Sequence, residues 1–108
     1  MIVELSASDS RYPDLTPGQP YVVLGIEADD LRILNDQGRP YLYPHEIFNV
    51  VDAREPDDWM SEHGEENERY AYPPSLAGSG FFEDYFDGKP DVVATFWRVM
   101  NRRLSAAA

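Results

Sequence analysis

The residues able to do chemistry are two histidines and a dense set of carboxylates, and their spacing decides what they can do. His45-Glu46-Ile47-Phe48-Asn49 opens like the helical zinc motif, in which histidines four residues apart share a face with a glutamate base. Its fifth residue is asparagine, so the second imidazole ligand is missing and the zinc site fails. His63 lies near Asp57, Asp58, Glu62 and Glu66, oxygen donors of the kind that hold hard divalent cations. The run lacks the regular carboxylate spacing, glycine and distant glutamate of a calcium loop, and reads instead as a solvated charge run. Asp29-Asp30, Asp57-Asp58, Glu65-Glu66 and Glu83-Asp84 are sequence neighbours, which a strand turns to opposite faces. Such pairs cannot share a proton or flank a glycosidic bond.

Nucleophile and phosphate motifs fail in the same way. Ala77-Gly78-Ser79-Gly80-Phe81 lacks the outer glycines of a nucleophile elbow, and Gly88-Lys89 runs into Pro90 where a phosphate loop has serine or threonine. The absence of cysteine excludes disulfides, thiolate nucleophiles and thiolate metal sites. The expectation is a chain with no catalytic residue, no metal and no cofactor.

What remains is charge and aromatic area. Twenty acidic residues against 9 Lys and Arg give a net charge of -11, and the basic residues are mostly scattered singly. Such a surface repels polyanions, so nucleic acid is excluded as a partner. The acidity is concentrated after residue 53, where Glu55, Asp57, Asp58, Glu62, Glu65, Glu66 and Glu68 are opposed only by Arg54. Solubility is one use of such a run, and electrostatic steering of a basic protein is another. Among Tyr41, Tyr43, Trp59, Tyr70, Tyr72, Phe82 and Tyr85, rings left exposed inside a polar rim would serve as interface anchors. The candidate partner-binding residues are therefore Asp57, Asp58, Trp59, Glu62, Glu65, Glu66, Tyr70 and Tyr72. The alternative is a small-ligand or catalytic cleft between a barrel and a C-terminal lid, with His45 or His63 as its titrating group.

These residues need elements to hold them. Pro13 and Pro17 make residues 6–18 a loop. Tyr21 to Ile26 is β-branched and apolar at successive positions, which predicts a strand covered on both faces. Turns at Glu27 to Asp30 and Asn35 to Gly38 lead into strands at Leu31 to Leu34 and Arg39 to Tyr43. Pro44 to Phe48 suits one 3₁₀ turn, followed by extended structure at Asn49 to Asp52. The acidic stretch from Ala53 reads as a solvated loop or short helix, with Trp59 buried on the barrel to anchor it. Tyr70 to Pro74 reads as alternating or polyproline-like, and residues 75–80 as a flexible connector. Phe81 to Phe86 reads as one amphipathic helical turn or a tight aromatic wedge, broken at Asp87 to Pro90. From Pro90 a helix buries Val93, Phe96, Trp97, Met100 and Leu104 and exposes Asp91, Thr95, Arg98 and Arg102, with residues 105–108 frayed.

The run from Leu15 to Asp52, with its proline and glycine turn before the first strand, its Asp36 to Gly38 turn and its Tyr43-Pro44 step followed by Phe48, resembles an SH3-like barrel. Small bacterial proteins that resemble this, with an aromatic-rich acidic C-terminal part, include immunity proteins of polymorphic toxin systems. The resemblance implies a protein that inhibits a partner, and it transfers no catalytic or binding residue. The expected architecture is one domain, mainly β with a C-terminal α-helix. Its SH3-like small barrel at 15–52 and an acidic Pro/Gly-rich connector at 53–80 precede an aromatic segment and terminal helix at 81–104, which cover the barrel. No apolar run reaches membrane-spanning length and the N-terminus lacks the basic flank of a signal peptide, so a cytoplasmic, membrane-free protein is expected.

Overall fold

The computed structural model describes residues 1–107. The fold is mainly β with a C-terminal helix: β1 (Ile2–Leu5), β2 (Pro20–Glu27), β3 (Asp30–Leu34), β4 (Pro40–Pro44), a 3₁₀ turn (His45–Ile47), β5 (Phe48–Asp52), β6 (Met60–His63), β7 (Arg69–Tyr72), a second 3₁₀ turn (Pro74–Leu76), α1 (Phe81–Phe86) and α2 (Pro90–Ala107). No described helix is long and apolar enough to cross a membrane. The chain divides into two compact units, Met1–Tyr72 and Pro73–Ala108, so the boundary falls inside the span expected to be connector.

In the first unit every strand pairing is antiparallel, in the order β4-β3-β2-β1-β5, with β7 on the end of β2 and β6 on β7. The eight residues of β2 serve three neighbours: Pro20 to Val22 pair with β1, the span from Val23 pairs with β3, and Ile26 and Glu27 also meet β7. A register shift between Val23 and Gly25 inserts one extra residue into β2. Such a bulge bends the strand and raises its twist, which lets one strand serve two sheet directions. Val3, Leu5, Leu15, Tyr21, Val23, Leu31, Ile33, Tyr43 and Phe48 form the core, with Trp59 packed at its margin as expected.

Three sequence expectations need correction here. Val22 is 43% exposed, so β2 is not covered on both faces along its length. The consecutive burial of Val23, Leu24 and Gly25 falls at the bulge, where strict alternation of faces is suspended. Extended structure also reaches well beyond residues 15–52: Ile2–Leu5 is a central strand, and the acidic run expected to be a loop or short helix contributes β6.

The long loop between β1 and β2 is held by polar side chains. The Tyr21 hydroxyl donates to Asp36 Oδ1 (2.6 Å) and accepts from the Thr16 amide (2.8 Å), while the Thr16 hydroxyl donates to Asp36 Oδ2 (2.7 Å). Asp14 Oδ2 accepts from the Tyr43 hydroxyl (2.7 Å) and from Asn35 Nδ2 (3.1 Å). Two tyrosines of the core thus fasten the loop to the β3–β4 turn, where Gly38 supplies the positive φ of 73°.

The second unit has its own aromatic core. Phe96 is fully buried, with ring centroids of Tyr85 at 4.8 Å, Trp97 at 5.2 Å and Phe82 at 6.2 Å. Leu76 and Met100 are also buried, so the segment expected to be a flexible connector carries a core residue on its 3₁₀ turn. Along α2, Val93 and Trp97 are half-buried and Asp91, Arg98 and Arg102 are exposed, as the helical stripe requires; Thr95 is half-buried instead of exposed. The helix continues to Ala107 instead of fraying after residue 104, and Ala108 lies outside the described residues.

Candidate partner-binding face

The acidic run and the two tyrosines that follow it fold into one β-hairpin. β6 and β7 pair in regular register, Met60 with Tyr72, Ser61 with Ala71, Glu62 with Tyr70 and His63 with Arg69. At the tip, the Gly64 amide donates to the Glu68 carbonyl (2.9 Å), and Asn67 takes a left-handed φ of 63°. Asparagine tolerates that conformation, and a three-residue loop closed this way is a common hairpin form. The Glu68 carboxylate folds over Gly64, where any Cβ would collide with it, and accepts from the Glu66 amide (2.9 Å). Glu65 and Glu66 are left exposed at the tip.

The expected partner-binding residues separate into three groups. Glu62, Glu65, Glu66 and Tyr70 are exposed on the hairpin, with Asp57 and Asp58 exposed on the turn that leads into it. Tyr70, 39% exposed, stands between two carboxyl-bearing cross-strand neighbours, Glu62 of β6 and Glu27 of β2. Trp59 is half-buried against the barrel core and serves as an anchor of the turn. Tyr72 is buried, so it is not part of an exposed face. Met60, 53% exposed and on the same strand face as Glu62, belongs to the surface although the sequence reading did not single it out. Its position two residues before Glu62 would have revealed it once β6 was recognised as a strand.

Arg69 is the only Lys or Arg between Arg54 and Lys89. Its guanidinium grips Glu55 with two bonds of 2.6 Å and donates to the Ser61 hydroxyl (2.9 Å), tying the acidic turn to the hairpin. The Arg69 hydrogen bonds hold the Glu55 carboxyl below the ordinary carboxylate range. The single cation of this region is therefore engaged internally.

Beneath the surface, Tyr72 belongs to a polar network. Its ring lies over Gly25, where an added Cβ would come within 2.2 Å of the ring carbons, and its hydroxyl donates to Glu27 Oε2 (2.6 Å). Arg32, only 7% exposed, donates from Nε to the Tyr72 hydroxyl (2.9 Å), from Nη1 to the Pro40 carbonyl (2.9 Å) and from Nη2 to Glu27 Oε2 (2.6 Å). The guanidinium joins β2, β3, β4 and β7 in one cluster.

Burial, then the neighbouring carboxylate, raises the Tyr72 phenol well above its ordinary value of 10, and the same two causes raise Tyr43 beside Asp14 and Tyr21 beside Asp36. In the unfolded chain these phenols ionise near pH 10, so above that pH the unfolded state binds fewer protons than the folded one. Their contribution is complete below pH 10 and is lost as pH rises towards the folded values. For Tyr72 alone the loss is up to about 1.4 kcal/mol per pH unit above 10. Urea midpoints between pH 8 and 11 should fall steeply beyond 10, and the Tyr72→Phe variant should show a shallower fall.

The histidines take no part in a common site. His45 is exposed, with Nδ1 donating to the Asp29 carbonyl (2.7 Å), and His63 is exposed on β6 opposite Arg69. Among the described residues, no group of three His, Asp or Glu side chains is placed to hold a metal ion. Comparison with protein-family models, curated proteins and solved structures gives no match.

Proposed function

We propose that this chain is a non-catalytic protein-binding module whose acidic hairpin and lead-in turn capture a basic protein. The observation that carries the reading is the gathering of Asp57, Asp58, Glu62, Glu65 and Glu66 on one exposed hairpin and turn, with Tyr70 and Met60 exposed among them. Exposed carboxylates steer a cationic partner into encounter, and an aromatic and a thioether side chain supply desolvated contact area once it arrives. The internal engagement of Arg69 by Glu55 leaves the negative field of the hairpin uncompensated by its own cation.

The SH3-like reading of the first unit is supported by β1 pairing with both β2 and β5, by the long loop after β1, and by the 3₁₀ turn immediately before β5. The β6–β7 hairpin is an addition to that plan. Inhibition of a cationic toxin, the task of the immunity proteins that this sequence resembles, is the setting this function fits.

A triple variant, E62Q/E65Q/E66Q, alters only exposed side chains and should melt as the parent does. In a pull-down from the native host, the parent should retain a protein of high isoelectric point at low salt that the variant loses. The association rate with that protein should fall about tenfold or more between ~0.02 M and ~0.2 M salt. Equal retention by parent and variant, or a rate indifferent to salt, removes the acidic face from the function.

A further inference from the structure

Three strands of the first unit have one neighbour each: β4 pairs only with β3, β5 only with β1, and β6 only with β7. An open edge is a template for another strand, and native edges carry devices against that. β4 begins and ends with proline, at Pro40 and Pro44. β5 carries a register shift in its pairing with β1, which twists an edge out of line. β6 has neither: its sequence is Met-Ser-Glu-His, its register with β7 is unbroken, and all four residues are exposed.

The ladder shows which backbone groups stand open. Gly64 donates to the Glu68 carbonyl, so the hydrogen-bonded positions of this antiparallel pair alternate through Glu62 and Met60. The amides and carbonyls of Ser61 and His63 then face away from β7. Among the described residues, no backbone hydrogen bond outside the ladders involves either one.

We propose that β6 is a strand-addition edge, and that its occupant is an extended, Lys/Arg-bearing segment of the partner protein, paired with the outward backbone groups of Ser61 and His63. This rests on the acidic-face reading above and gives it a binding mode. Charge selects the occupant. Asp57 and Asp58 precede the strand, Glu62 lies within it, and Glu65 and Glu66 follow it. A second copy of this chain, in an antiparallel pairing centred on β6, would run Asp57 and Asp58 alongside its own kind of acidic tip, Glu65 and Glu66. Like charges placed opposite each other oppose that pairing, whereas a cationic strand meets a carboxylate at each end and in the middle. Backbone bonds would supply register, and the exposed Met60 and Glu62 on one strand face would favour an apolar and a basic side chain two residues apart.

The test uses the unaltered full chain and two blocked octapeptides of equal charge, (Lys-Thr)4 and the same peptide methylated on every backbone nitrogen. The first should bind at low salt and slow amide exchange at Ser61 and His63 at least tenfold. The methylated twin, unable to donate, should bind about tenfold or more weakly. Equal affinity of the two peptides, with unchanged exchange at Ser61 and His63, overturns edge addition while leaving salt-dependent capture by the acidic face intact. Failure of both peptides to bind overturns edge addition too, and the pull-down with E62Q/E65Q/E66Q then judges the acidic face separately. Slow exchange at these two amides without peptide, together with a doubled particle mass, would assign the edge to a second copy instead.

Discussion

Replacing Arg32 with methionine should destabilise the first unit by about 3 kcal/mol, because one change strips partners from three groups. Methionine retains the apolar stem of the side chain, so the loss isolates the guanidinium. Without it, the Glu27 carboxylate and the Tyr72 hydroxyl face each other with no cation, and the Pro40 carbonyl loses a donor. The cost sits at the low end for breaking a buried pair, since the Glu27 side chain keeps 31% of its exposure and water can reach it. At roughly 4 °C per kcal/mol for a chain of this length, the melting temperature should drop by about 12 °C. A drop under about 3 °C would mean that the network is dispensable. The triple replacement R32M/E27L/Y72F removes the carboxylate and phenol partners together, leaving only the Pro40 carbonyl without its donor, and should recover part of the loss, as cycles over mutually dependent groups do.

Truncating Phe96 to alanine should cost about 3–5 kcal/mol and unfold the second unit on its own. The ring is completely buried and edge-packed by Phe82, Tyr85 and Trp97, so truncation leaves a cavity lined by three aromatic faces. Among the described residues, Pro73, Leu76, Phe82 and Met100 are the other buried apolar side chains of this unit, too few to absorb the loss. The variant should lose helical circular dichroism and amide protection across α2, while protection in β1 to β5 persists. Phe96→Leu keeps most of the volume and should retain the helix. Full helicity in the alanine variant would show that α2 does not depend on this cluster.

The two predictions probe features of unequal visibility in the sequence. The helical stripe of Phe96 and Met100 can be read directly, because apolar residues recur at three- and four-residue steps from Val93 to Leu104 and Pro90 marks the start. The Arg32 cluster cannot: Glu27, Arg32, Pro40 and Tyr72 are spread over 45 residues and meet only because β2 pairs with β3 on one side and β7 on the other. The strand β6 was obscured for a related reason. Four exposed residues, Met60 to His63, show no apolar alternation, and their extended form follows from pairing with β7.

By itself, the sequence determined the meander from Tyr21 to Asp52, its turns, the 3₁₀ step and the terminal helix, since turn chemistry and hydrophobic period are local properties. It also determined the charge and where the charge lies along the chain. Only the tertiary structure decided that the acidic run is half of a hairpin, that Tyr70 is exposed while Tyr72 is buried, and that Val22 meets water. Those outcomes depend on which strands become neighbours and where β2 bulges, and pairing between distant segments leaves no periodic trace in either one.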